Sequence, residues 1–290
     1  MATNTPFGQR LGLVLEGGAM RGIYTAGVLD VFLEAGIMPD VVVGVSAGAL
    51  HGCSYVSGQH GRSIRYYRKY RSDKHFMGLY SLLTTGDVVG TKFCYEDIPL
   101  RLDPFNEAAF EKAPVDFYVT VTNVRTGKPE YILCDELKVG SKMDVIRAGA
   151  SMPLCSKMVE WNGNLYLDGG VSDSIPYAKM KDFGCRKSIV VLTQPAGYLK
   201  QPAAMAPFEA MYRKYPAFVE AMRGRDQMYN TEVCAVEQAA KQGDVFLIRP
   251  SKFLHVGRME HDIEVLNAQY ELGRQDARNQ MDAMREWMER

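Results

Sequence analysis

Leu11-Gly12-Leu13-Val14-Leu15-Glu16-Gly17-Gly18-Ala19-Met20-Arg21-Gly22 and Val41-Val42-Val43-Gly44-Val45-Ser46-Ala47-Gly48 are the two stretches on which the fold turns. Each opens as a short apolar run and ends at glycines, as a strand buried on both faces does. Between them, residues 21–35 set Ile23, Ala26, Val28, Leu29, Phe32 and Leu33 at helical spacing and stop at Gly36. Strand, helix and strand within the first 45 residues predict a parallel sheet with right-handed crossovers.

Working outward, residues 115–121 and 130–134 are strand-like, and Ser141 with Asp144 has the form of a capping box opening a helix that Pro153 closes. Residues 157–161 and 164–167 flank Asn162-Gly163, a strong hairpin signal. Residues 188–193 and 245–248 supply later buried strands, so the class is α/β with some antiparallel addition. Residues 202–243 turn helical and Met-rich (Met205, Met211, Met222, Met228). Residues 258–290 are helical again, spacing Ile263, Leu266 and Tyr270, then Met281, Met284 and Met288, by three and four. No Gly/Ser or Pro-rich linker separates these helices from the sheet. The expected organisation is one domain over 1–290, with a core at 11–193 and helical additions at about 202–243 and 258–290.

Composition narrows the classes. At 290 residues, 47% hydrophobic and 23% charged, the chain can bury a sizeable core, and disordered, collagen-like or coiled-coil readings fall away. Thirty-four basic residues balance 34 acidic ones. The neutral whole offers no field to draw in nucleic acid or an anionic membrane, so no nucleic-acid partner is expected. A local patch could still act: Arg62, Arg65, Arg68, Lys69 and Arg71 interleave with Tyr66, Tyr67 and Tyr70. A helix with a solvated basic face and buried tyrosines explains that pattern, and with a phospholipid substrate the patch would become a membrane contact. No run approaches the ~18 apolar residues of a membrane span, and residues 1–10 lack the apolar core of a signal peptide, so the expected location is the cytoplasm, peripheral to the membrane at most. The six cysteines and five histidines are scattered without ligand spacing, and neither a metal nor an organic cofactor is expected.

Gly44-Val45-Ser46-Ala47-Gly48 has the Gly-X-Ser-X-Gly form at a strand-to-helix junction, where a serine hydroxyl stands exposed at a helix N-terminus. The alternative is a serine that only caps the helix. The turn around Gly17, Gly18 and Ala19 can aim consecutive N–H groups at one anion, as an oxyanion hole or a phosphate cradle, although it matches neither common nucleotide motif. Arg21 is a candidate for a substrate phosphate or carboxylate, an ordinary ion pair being the alternative. Asp168-Gly169-Gly170 follows the hairpin and could present a carboxylate to a cleft or form a surface turn.

These motifs together resemble the patatin-like phospholipase family: its glycine-rich turn at 17–22, its serine motif at 44–48 and its Asp-Gly-Gly motif at 168–170. Ala148-Gly149-Ala150-Ser151-Met152-Pro153 resembles a further family segment. The likeness runs from about residue 11 to 193. It implies a three-layer α/β/α patatin-like fold and a Ser-Asp dyad, with Ser46 attacking an acyl carbonyl, Asp168 as base, and the amides of Gly17, Gly18 and Ala19 holding the oxyanion. Ala19 departs from the commoner glycine triplet. The chain is therefore expected to be a serine acyl hydrolase acting on carboxylic esters, of lipids above all. Two alternatives stand beside it: a Ser-His-Asp α/β-hydrolase using His255 or His261, and a non-catalytic lipid-binding module. His51 is expected to pack or face solvent. The methionines could line an acyl site, core packing being the plainer use.

Overall fold

The computed structural model describes residues 6–290, so the first half of the polar segment 1–10 lies outside the described residues. The strands are β1 (Arg10–Leu15), β2 (Val41–Val45), β3 (Asp116–Asn123), β4 (Pro129–Leu133), β5 (Val159–Trp161), β6 (Asn164–Asp168), β7 (Cys185–Val191) and β8 (Val245–Ile248). The helices are α1 (Ile23–Glu34), α2 (Ala47–Val56), α3 (Arg62–Tyr70), α4 (Leu79–Thr85), α5 (Glu107–Lys112), α6 (Met143–Gly149), α7 (Ala206–Met211), α8 (Pro216–Arg223), α9 (Arg225–Gln242), α10 (Ile263–Asn279) and α11 (Met281–Glu289). A π-wound segment, Phe93–Leu102, with Pro99 inside it, lies between α4 and α5.

Five strands in the order β3-β2-β1-β7-β8 run parallel, and β4, β5 and β6 add antiparallel pairs. The unbroken apolar character of the central strands follows from burial on both sides. Leu13, Leu15, Val42, Ile189 and Val191 pack in the core shared with α1, α2 and α6. The alternate residues Val14, Val41, Val43, Val190 and Leu192 pack in the opposite core with Tyr229, Val236 and Ala239 of α9. The architecture is the expected three-layer α/β/α, with β8 as the edge strand beside β7 and α10 laid over α1. Gly27 and Gly273 make that last contact close: a Cβ at Gly27 would lie 2.1 Å from the Tyr270 carbonyl oxygen, and one at Gly273 2.0 Å from that of Tyr24.

The pairing of β3 positions the site. Residues Tyr118–Thr122 of β3 pair with β4. Because that edge is taken, β2 (opposite Asp116 to Thr120) and β6 (opposite Val121 to Asn123) must share the other edge. β2 runs parallel to β3 and β6 antiparallel, so their C-terminal ends meet head to head where Thr120 faces Val45 and Val121 faces Asp168. Pairing with β6 also carries β3 past the expected end at Val121 to Asn123. Asn162 (φ 47°) and Gly163 (φ 74°) form the expected tight hairpin turn between β5 and β6.

The capping box does not form. The Ser141 hydroxyl donates to the Glu136 carboxylate at 2.6 Å, α6 begins at Met143 without a side-chain cap, and it ends at Gly149 instead of running to Pro153. A hydrogen bond to a charged acceptor outcompetes one with a neutral backbone amide.

Candidate active site

Ser46 is buried between β2 and α2 with φ 53° and ψ −122°, a conformation a non-glycine residue adopts only under constraint. The constraint is visible in its neighbours: a Cβ at Gly44 would lie 2.5 Å from the Ala49 Cα, and one at Gly48 2.3 Å from the Leu15 carbonyl oxygen. Only residues without side chains fit at those two positions, which is the physical content of the motif. The Ser46 hydroxyl makes no capping bond, so the capping alternative does not describe it.

The turn after β1 presses against this serine, since a Cβ at Gly17 would lie 2.9 Å from the Ser46 Cβ. Ala19 is itself left-handed (φ 48°) and opens a 3-10 turn, Ala19–Gly22. The amides of Gly17, Gly18 and Ala19 bond to no carbonyl among the described residues, and all three residues line the cleft beside Ser46. A fixed turn with free donors is suited to a developing negative charge.

Asp168, 122 positions beyond Ser46 (168 − 46), is carried to it by the meeting of β2 and β6. Its amide donates to the Ser151 carbonyl at 2.9 Å, and its Oδ1 accepts from the Gly170 amide at 2.8 Å. Ser151 belongs to the family-like segment 148–153, whose use is to anchor this aspartate. The Ser46 hydroxyl is within hydrogen-bonding reach of the carboxylate. Burial raises the Asp168 pKa above the ordinary carboxylate range, while the bonds from Ser46 and Gly170 and the charges of Arg225 and Lys200 oppose the rise.

Two cavities open on either side of Ser46 and share Ala19, Ser46 and Met152 in their walls. One is apolar, walled by Leu50, Phe76, Tyr95, Ile98, Ile146 and Ala150 among others. The methionines in it are Met20, Met77, Met143 and Met152, whereas the C-terminal methionines singled out above are absent from its wall. The other holds Asp168 and four cations: Arg21, Lys200, Arg225 and Arg258. Burial and the neighbouring Arg225 charge push the Lys200 ammonium down to about 7. Glu16, also in that wall, accepts from the Thr193 amide (2.5 Å) and the Tyr229 hydroxyl (2.9 Å), and burial raises its pKa. Sequence reading found Arg21 but missed Glu16, Lys200, Arg225, Tyr229 and Arg258. A carboxylate ending an otherwise apolar strand was the available signal for Glu16.

No described histidine lines either cavity. His255 is exposed, and the His261 side chain is 85% exposed beside Glu260. His51 is buried with neither ring nitrogen bonded, and desolvation lowers its pKa to about 3, so it packs as a neutral ring. The basic run is largely internal bracing: Arg62 and Arg65 pair with Asp103, Arg68 bonds Asn267, and Arg71 donates to the carbonyls of Met259 and Glu260. Tyr66, Tyr67 and Tyr70 are buried, as expected. Glu107, Glu111 and Glu136 form a carboxylate cluster, with the Lys138 ammonium among them at 3.5, 3.1 and 3.0 Å.

A constrained serine between two parallel-strand ends, beside a buried carboxyl and free amides, defines an α/β protein with the layout of an acyl-transfer site. The family model of the patatin-like phospholipases matches residues 13–180, more than half the chain, and the protein belongs to that family. It is a hydrolase acting on ester bonds. A domain of unknown function matches residues 215–289. The chain is similar to the uncharacterized protein YjjU of Escherichia coli strain K12, at 28% identity over 91% of this chain and 75% of that protein. Lysophospholipase nte1 of Aspergillus terreus and lysophospholipase NTE1 of Saccharomyces cerevisiae are each 30% identical, over 61% and 63% of this chain. The chain spans only 11% of either lysophospholipase. The crystal structure of VipD from Legionella pneumophila aligns over 96% of this chain and 67% of that one, with 13% identity and a TM-score of 0.47. Among the described residues, no helix is long and apolar enough to cross a membrane.

Proposed function

We propose that the protein hydrolyses carboxylic esters of lipids through an acyl-serine intermediate formed by a Ser46-Asp168 dyad. Ser46 Oγ bonds to the ester carbonyl carbon while its proton passes to Asp168, and the oxyanion is held by the amides of Gly17, Gly18 and Ala19. Collapse of the tetrahedral species expels the alcohol, which takes the proton from Asp168. Water then attacks the acyl-serine, gives a proton to Asp168, and releases the carboxylic acid as Ser46 recovers its proton.

The observation that carries this reading is the head-to-head end of β2 and β6 on one edge of β3, which sets a buried carboxyl beside a strained serine. A carboxyl whose pKa is raised by burial is better matched to proton transfer near neutral pH than an ordinary one. The apolar cavity suits the acyl chain, and the exposed Leu79, Tyr80, Leu82 and Leu83 of α4 suit peripheral contact with the lipid surface that supplies it. α4 is bracketed by Met77 and Val89, which bridge each other and line that cavity. Residues 6–290 would act as one unit, because β8 completes the sheet and Lys200, Arg225 and Arg258 wall the cleft.

A fluorophosphonate probe tests the dyad. Covalent labelling is expected in the wild type and absent in Ser46→Ala, with p-nitrophenyl ester turnover lost in Asp168→Asn. Retained turnover in Asp168→Asn, together with loss on substituting His255 or His261, would overturn it in favour of a triad.

A further inference from the structure

The cationic cavity has more positive charge than its own carboxyls require. Arg21, Lys200, Arg225 and Arg258 converge on it, and none forms an ion pair with a carboxylate among the described residues. The Arg21 Nε is buried with no hydrogen-bond partner among the described residues. Arg225 donates its Nε to the Gly170 carbonyl at 2.6 Å, which fixes the guanidinium next to Asp168 and leaves its terminal NH groups without a hydrogen bond to any described residue. Lys200 is held by its backbone: its amide donates to Asn230 Oδ1 at 2.9 Å, and Asn230 Nδ2 donates to its carbonyl at 3.1 Å, with the ammonium 4.0 Å from the centre of the Tyr229 ring. The four cations face two carboxyls, Glu16 and Asp168, both with pKa values raised by burial. Cations brought this close repel one another at a cost that an anionic ligand removes, and two of them, Arg225 and Lys200, are held in place by hydrogen bonds.

We propose that this cavity binds the phosphate on the alcohol half of the substrate, and that the preferred substrate is an acyl glycerol phosphate, an anionic lipid whose headgroup carries no compensating cation. This rests on the dyad reading for the position of the ester: with the acyl chain in the apolar cavity and the carbonyl at Ser46, the alcohol half extends into the cationic side. A choline headgroup would bring a further cation into a site already lined by three guanidinium groups and Lys200. A phosphomonoester brings about 1.5 to 2 negative charges at neutral pH. Three of the four cations, Lys200, Arg225 and Arg258, lie beyond the span matched by the family model, so the selectivity belongs to the C-terminal region of this chain.

The test compares monoacyl glycerol 3-phosphate, monoacyl glycerophosphocholine and monoacylglycerol with one common acyl chain, using the intact protein. Expected is a kcat/KM for the phosphomonoester about tenfold or more above the other two, from the charge-assisted hydrogen bonds. That ratio should fall toward one, through KM, in Arg258→Gln and in Lys200→Gln. A ratio near one in the wild type, or one that survives both substitutions, overturns the proposal. So does inorganic phosphate that inhibits all three esters alike while no headgroup preference exists, because the cavity would then serve the free ion. Calorimetric titration of Ser46→Ala protein with the first two lipids separates the two readings. Headgroup-selective binding without wild-type turnover would keep the cavity and sink the dyad, whereas turnover without selectivity would keep the dyad and sink the cavity.

Discussion

The two cavities meet at Ser46 yet differ in origin. The named wall residues of the apolar one, from Ala19 to Met152, lie within the span shared with the family, between the turn before α1 and the segment after α6. The cationic one takes Glu16, the glycine turn and Asp168 from that span, and completes itself with Lys200, Arg225, Tyr229 and Arg258 from the C-terminal region. In the proposed function, reaction chemistry and acyl recognition would be built by the sheet and its first helices, and three of the four cations that would recognise charge come from outside them. Changes on the two sides should therefore have separable effects.

The largest effect belongs to Ser46, one of the three residues common to both. Ser46→Ala is expected to lower turnover of every ester by at least about 10³-fold while leaving circular dichroism unchanged. If only charged esters were affected, the shared-centre picture would break. Asp168→Asn should cost about 10³-fold or more in kcat and at the same time raise Tm. The sign follows from the raised pKa: folding disfavours the ionised carboxyl, so above the unfolded value of about 3.9 it lowers stability, and a neutral amide removes that cost. The gain in Tm should accordingly be larger at pH 7 than at pH 4, and thermal melts at both values check it.

On the apolar side alone, Ala150→Leu should reduce kcat/KM for long acyl chains by about tenfold relative to a butyryl ester, because added methylenes overfill a packed wall. The headgroup ratio should not move, and a change in it would show that the cavities are coupled. The smallest effect is on the pH profile. Activity should fall on acidification at a pH above the ordinary aspartate value, and Lys200→Gln should move that acid limb further upward, since the lysine charge helps hold the Asp168 pKa down. An unmoved limb in kcat/KM against pH would separate Lys200 electrostatically from the dyad.

Legibility in the sequence followed the range of the forces involved. β2 and α2 were readable almost to the residue because five consecutive buried residues, the glycines and the following helix are local facts. The hairpin was readable because Asn162 and Gly163 both need positive φ. The segment from α3 to α5 was poorly readable: its arginines look like a solvated face until Asp103, folded back from later in the same segment, and Asn267 and the Glu260 carbonyl, from the C-terminal region, bind them. Among the C-terminal methionines, Met222 and Met284 pack in the core as the plainer reading expected, whereas Met211 is exposed.

By itself, the sequence determined the strand-helix-strand start, the serine and the glycines that strain it, and the existence of Asp168, since each is written in adjacent residues and their allowed backbone angles. The meeting of Asp168 with Ser46 was decided only by the tertiary structure, through β3 offering one edge to two strands that end face to face. The convergence of Lys200, Arg225 and Arg258 was decided the same way, because charges act through space and those three are brought together from a loop, a helix and a segment after the last strand.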